Sequence, residues 1–176
     1  MQTMKQMSFI DSYEKQFWKD LRSGKFAKMV REESRGQYLR SSTEAFNILK
    51  PIYADAIDIE RMYCIFMDTK NNIISIDKVS QGSLTSSAVY PRELIKLALK
   101  YMAGSIVISH NHPSGDPQPS QEDKEITLRL AFAFKSIDIN LLDHIIVGNT
   151  YYSFADNGIM ETINSKFRQE TTFKSI

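Results

Sequence analysis

His110 and His112 stand two residues apart, just past the short apolar run Ser105 to Ser109 (SIVIS), and Asp123 follows further on. Side chains alternate along an extended strand, so both imidazoles fall on one side and Asn111 on the other. The segment His110 to Pro119 holds three prolines and one glycine. It reads as a rigid loop that returns the chain to the start of a helix. There Ser120 and Asp123, three residues apart, share one helical face. Two neutral imidazoles and one carboxylate can hold a divalent metal with a fourth position open, which separates a catalytic zinc site from a closed structural one. Zinc suits this nitrogen/oxygen set, although ligand type alone also admits iron, cobalt or nickel. Each half has a plainer reading. Ser-x-x-Asp at a helix start is a capping box, and His-x-His at a strand end can be ordinary surface. Ser120 is able to cap its helix and also present its hydroxyl to the site.

The elements around this segment are legible from periodicity. Apolar residues at Phe9, Ile10, Tyr13, Phe17, Trp18 and Leu21 predict an amphipathic helix from Ser8 to about Arg22, with Ser23-Gly24 as its stop. Residues 25–40 are charged and carry no clear pattern. Ser42 opens a second helical stretch, which Pro51 kinks or ends. Arg61 to Met67 (RMYCIFM) reads as a buried strand, Asp68 to Asn72 as a turn, and Ile73 to Val79 as the hairpin partner. Gly82 to Ser87 is a loop. Pro91 suits a first helical turn, and Leu94 to Leu99 a buried helix. Ser105 to Ser109 is a strand, Ser120 to about Ser136 a helix, and Ile139 to Val147 a strand. Gly148-Asn149 turns the chain into the return strand Tyr151 to Phe154. This order predicts an α/β sandwich with a mixed sheet. Residues 1–55 form a helical extension, 56–158 the metal-binding domain, and 159–176 a polar tail that frays.

Composition narrows the function classes. With 42% hydrophobic and 24% charged residues in 176, a folded core is expected rather than disorder. No stretch approaches 18 consecutive apolar residues, so no membrane partner is expected. The front carries no apolar signal core, and the single cysteine, Cys64, fits a reducing cytoplasm and reads as core. Nine Lys/Arg against five Asp/Glu make residues 1–40 net +4, whereas ten against fourteen make residues 41–158 net −4. The basic front is either a solvated helical face or a contact for nucleic acid or an acidic partner.

The spacing His110-x-His112, seven residues, Ser120, two residues, Asp123 resembles the metal motif of JAMM (MPN+) domains at each fixed position. The form His-Asn-His-Pro-Ser-Gly-Asp-Pro-x-Pro-Ser is more narrowly similar to the RadC-like branch. So are Tyr90-Pro91-Arg92-Glu93 and Leu142-Asp143-His144-Ile145-Ile146-Val147-Gly148. The resemblance covers about residues 57–156. It implies the cytidine-deaminase-like α/β/α sandwich and one zinc ion with a bound water, held by His110, His112 and Asp123. It also implies an upstream glutamate, here Glu60, as general acid/base. Ser120 then donates to the developing oxyanion, and the reaction is zinc-dependent hydrolysis of a peptide or isopeptide bond in a protein or peptide substrate. Glu93 is the competing acid, but it lies inside a predicted helix, where capping, pairing or solvent exposure suits it better. His144 is either a partner that orients a ligand or simply a buried, hydrogen-bonded histidine, and Asp143 has the same ambiguity. The alternative is a non-enzymatic DNA-repair or mobile-element accessory with a structural or vestigial metal site. RadC-like chains often carry a helix-hairpin-helix module, and the front of this chain has no glycine-rich hairpin between two helices. That weakens nucleic acid as a partner.

Overall fold

The turn predicted at Asp68–Asn72 organises the first hairpin. A computed structural model describes residues 13–56, 58–82 and 90–171. In it Asp68 Oδ1 accepts the backbone N–H groups of Lys70 and Asn72, at 2.8 and 2.9 Å. Asn71 takes the left-handed conformation (φ 61°) that asparagine tolerates. This reverses the chain between β1 (Arg61–Met67) and β2 (Ile73–Gln81). On its other edge β1 pairs antiparallel with β3 (Ser105–Asn111). β3 lies parallel to β4 (Asn140–Val147), which turns back antiparallel into β5 (Tyr151–Ser153). The result is one mixed five-stranded sheet in the order β2-β1-β3-β4-β5. All seven residues of β3 are buried, as expected of a central strand covered on both faces.

The described helices are α1 (residues 13–22), α2 (Lys25–Glu33), α3 (Ser42–Ile52), α4 (Pro91–Lys100), α5 (Gln121–Lys135) and α6 (Ile159–Thr171). Helices α2 to α6 divide between the two faces. Leu49 and Ile52 of α3 and Ala27 of α2 pack with Ile65, Met67, Val107 and Ile145. On the opposite face Leu94 of α4 and Ile126, Leu130 and Phe134 of α5 pack with Cys64, Phe66, Ile106 and Ile108. Cys64 is buried as expected, and burial pushes its thiol up, which makes it inert.

Two sequence readings change here. Residues 25–33, which carried no clear pattern, form α2, released from α1 by Gly24 in a left-handed conformation (φ 71°). Helix α3 starts at Ser42 as expected, capped by the Ser41 hydroxyl, which accepts the Glu44 N–H at 3.2 Å, and it ends at Ile52, one residue past Pro51. The tail, expected to fray, is helical through Thr171. Met160 and Ile163, three residues apart, bury one face of α6, and Phe167 meets Phe132 edge-on at 5.3 Å. Residues 8–12 of the first predicted helix, 83–87 of the predicted loop and 172–176 of the tail lie outside the described residues.

Candidate metal centre

Three separate segments deliver the ligand set. His110 is the sixth residue of β3, and its side chain is buried. His112 lies just past the strand end, and its N–H donates to Val147 O at 2.8 Å, so the loop leaves the sheet alongside β4. Gly115 (φ 84°) turns that loop. Its N–H donates to His112 O, and its carbonyl accepts from Asn149 N at 2.8 Å. Gly148 lies so close to the Gly115 backbone that a Cβ there would collide with it. Asp123 is the third residue of α5, and the predicted capping box is present. Ser120 Oγ accepts Asp123 N–H at 3.0 Å, while Asp123 Oδ2 accepts from Ser120 N at 2.8 Å and Ser120 Oγ at 2.7 Å.

The donor atoms converge. His110 Nε2 lies 2.9 Å from His112 Nε2 and 3.1 Å from Asp123 Oδ1, and His112 Nε2 lies 3.5 Å from Asp123 Oδ2. Tetrahedral bonds of zinc length imply ligand-to-ligand separations of about 3.3 Å, and these distances bracket that value. His112 Nδ1 donates to Asp116 O at 2.7 Å, which leaves its Nε2 lone pair facing the other donors. His110, His112 and Asp123 therefore form a group that can hold a metal ion. Burial pushes the Asp123 carboxyl up, but the His110 and His112 rings at its oxygens and the Ser120 hydroxyl reverse that and hold it well below the usual carboxylate range. The Asp123 carboxylate beside it raises His112, with the Glu60 charge among the smaller contributors.

The remaining candidates separate. Glu60 is half-buried at the residue before β1, within electrostatic reach of His112. Its segment is fastened to the metal motif by Asn111, a residue whose part sequence reasoning missed. Asn111 Nδ2 donates to Ala56 O and Ile59 O, both at 3.1 Å, and Oδ1 accepts from Arg61 N at 2.8 Å. The signal was its alternation with the two histidines. Glu93 is exposed on α4, paired with Arg92 and Lys96. His144 is buried, and its Nε2 lies 2.8 Å from His110 Nδ1. Asp143 is placed elsewhere. The β3–β4 register shifts by one residue between Ile106 and Val107, so Leu141 opposes Ile106 while Asp143 opposes Val107. The extra residue, Leu142, reverses the alternation. It aims His144 at the metal face and Asp143 at the opposite face, where Asp143 touches none of the ligands. There Asp143 Oδ2 accepts from Ser153 Oγ at 2.6 Å, and Oδ1 accepts from His144 N and Ala155 N.

Residues 39–159 match the RadC-like JAB domain. The chain belongs to this family. It is 45% identical over 116 residues to the UPF0758 protein STH371 of Symbiobacterium thermophilum, covering 65% of this chain and 49% of that one. It is 40% identical over 121 residues to a UPF0758 protein of Methanococcoides burtonii, covering 68% and 52%. A UPF0758 protein of Vibrio cholerae is 37% identical over 129 residues, covering 73% and 75%. This RadC-like JAB domain chain thus spans about half the length of the first two relatives. The match begins at residue 39 and therefore takes in α3, whose Leu49 and Ile52 are fully buried.

The Asp143 arrangement carries a pH prediction. Burial raises its carboxyl to about 6, against opposing bonds from Ser153, Ala155 and His144. The native state thus keeps a proton that the unfolded chain, with a carboxyl near 3.8, releases. The stability this contributes is full below about pH 4 and is lost as pH rises through about 6. Asp143→Asn keeps the oxygen that accepts both N–H groups, puts an NH2 group where Oδ2 accepts from Ser153 at a cost that does not depend on pH, and removes the penalty at neutral pH. Urea denaturation at pH 4.5 and 7 is expected to show the variant gaining on wild type by on the order of 2 kcal/mol at the higher pH. Equal differences at both pH values would contradict this.

Proposed function

We propose that the chain is a zinc-dependent metallohydrolase of cytidine-deaminase-like α/β/α architecture that cleaves peptide or isopeptide bonds. The observation that carries this reading is the convergence of two imidazoles and one carboxylate, from three segments, at spacings suited to a single cation. A bound zinc ion supplies Lewis acidity and brings the pKa of water down to near 7. Glu60 accepts the proton of the attacking water and returns it to the leaving nitrogen. In the resting site the Ser120 hydroxyl donates a hydrogen bond to Asp123 Oδ2. That proton is the one to turn toward the developing oxyanion. Asn111 keeps the Glu60 segment against the strand that bears His110. His144 orients His110. We place the activity in the cytoplasm; no helix among the described residues is long and apolar enough to cross a membrane.

The test is cleavage of a quenched-fluorescence peptide library and of isopeptide-linked conjugates by metal-stripped protein, with and without added zinc. Zinc-dependent cleavage that Asp123→Ala abolishes is expected. Absence of cleavage across both substrate sets would count against the hydrolase reading. A nucleic-acid contact is a second reading. It is favoured by the net +4 of residues 1–40 and by the exposure of Tyr13, Phe17 and Trp18 on α1. Salt-dependent binding of single-stranded DNA would support it, and no binding at low salt would remove it.

A further inference from the structure

Behind the three ligands, a buried polar chain runs from the backbone of α5 to His110. Thr127, fully buried in α5, places Oγ1 2.5 Å from the carbonyl oxygen of Asp123. Two oxygens that close need a proton between them, and only the threonine hydroxyl can supply it. The same Oγ1 lies 2.6 Å from His144 Nδ1. With its own proton committed, Thr127 can only accept there, so His144 Nδ1 carries hydrogen. The His144 ring is fully buried and stacks on Phe154 at 4.8 Å, and neither of its nitrogens bonds a carboxylate. In such surroundings it is a neutral imidazole with one proton. Its Nε2 is therefore a bare acceptor, 2.8 Å from His110 Nδ1, which must donate. That leaves His110 Nε2 bare as well. It faces His112 Nε2 at 2.9 Å and Asp123 Oδ1 at 3.1 Å.

We infer that Thr127 and His144 are positioning residues that fix His110 in the Nδ1–H tautomer, the one that offers Nε2 to a cation. The consequence for metal affinity rests on the reading of His110 as a ligand; the tautomer itself does not. The chain starts on the carbonyl of Asp123, so one turn of α5 supplies one ligand directly and sets the proton position of another. The opposite tautomer would aim an N–H at the cation position and leave two facing acceptors between His110 and His144.

Thr127→Val keeps the shape and removes the hydroxyl, which strands His144 Nδ1–H and frees that ring to change tautomer. Thr127→Ser restores the hydroxyl. Zinc affinity, measured by competition with a chromophoric chelator, is expected to fall about 10–100-fold in Thr127→Val. In Thr127→Ser it should stay within about threefold of wild type. An unchanged affinity in Thr127→Val would overturn the inference. A second measurement needs neither variant nor metal. Long-range 15N–1H correlation spectra of the metal-free wild type should show His110 protonated at Nδ1 and His144 at Nδ1. Protonation of His110 at Nε2 would overturn the relay outright. Failure of wild type to bind zinc would defeat the functional reading and leave this spectrum to decide the tautomer.

Discussion

Glu60→Gln is expected to slow hydrolysis by about 10²–10⁴-fold, the range supplied by a positioned general base. Glutamine matches glutamate in shape but cannot take up a proton. Glu60 is not one of the three candidate ligands, so zinc content should be unchanged. Its segment is held at Ala56, Ile59 and Arg61 through the Asn111 side chain, and those bonds involve backbone atoms that the substitution leaves intact. Single-turnover rates on a substrate from the peptide library, with metal content measured on the same samples, check both halves. Unchanged rate at full zinc occupancy would move the base elsewhere. Glu93 would be a poor successor, because its carboxylate sits on the exposed face of α4 with Arg92 and Lys96.

Metal binding should also be written into stability. A ligand that binds only the folded state adds about 4.1 kcal/mol at a thousandfold excess over Kd. For a chain of this size each kcal/mol moves Tm by about 2–4 °C, so saturating zinc should raise Tm by roughly 8–16 °C. Asp123→Ala should abolish that rise, because it removes a ligand and also the carboxylate that His110 and His112 both face. The same substitution deletes the acceptor for Ser120 N–H and Ser120 Oγ. A modest loss of metal-free stability, on the order of 1 kcal/mol, should therefore accompany it. Thermal melts with zinc and with chelator separate the two effects. A Tm insensitive to zinc in wild type would contradict the linkage.

Much of this was legible in the residues. β1 is the run Arg61 to Met67, as its mostly apolar, aromatic-containing character indicates. Asp68 to Asn72 forms the turn its composition demands, and the proline-rich loop returns Asp123 to the histidines. These features are local: each depends on a period or a turn chemistry within a few residues. The misses depend on distant partners. Nothing near Lys25–Glu33 signals a helix, and α2 is fixed by packing against α3 and β2. The tail is a helix because Met160 and Ile163 find the α5 face. The register shift opposite Leu142 cannot be read from β4 alone, yet it decides that His144 and not Asp143 reaches the metal face. Asn111 looked like a spacer, and its part became visible only once residues 56–61 were placed beside it. Thr127, in mid-helix, carries no sequence signal until His144 is known to lie over it.

The most direct test is zinc K-edge X-ray absorption on the reconstituted chain, with metal content measured in parallel. One ion per chain is expected, with two imidazole nitrogens and one carboxylate at about 2.0–2.1 Å and no sulfur in the shell. A chain that retains no stoichiometric metal after reconstitution, or a coordination shell unchanged by Asp123→Ala, would contradict the metal centre at His110, His112 and Asp123.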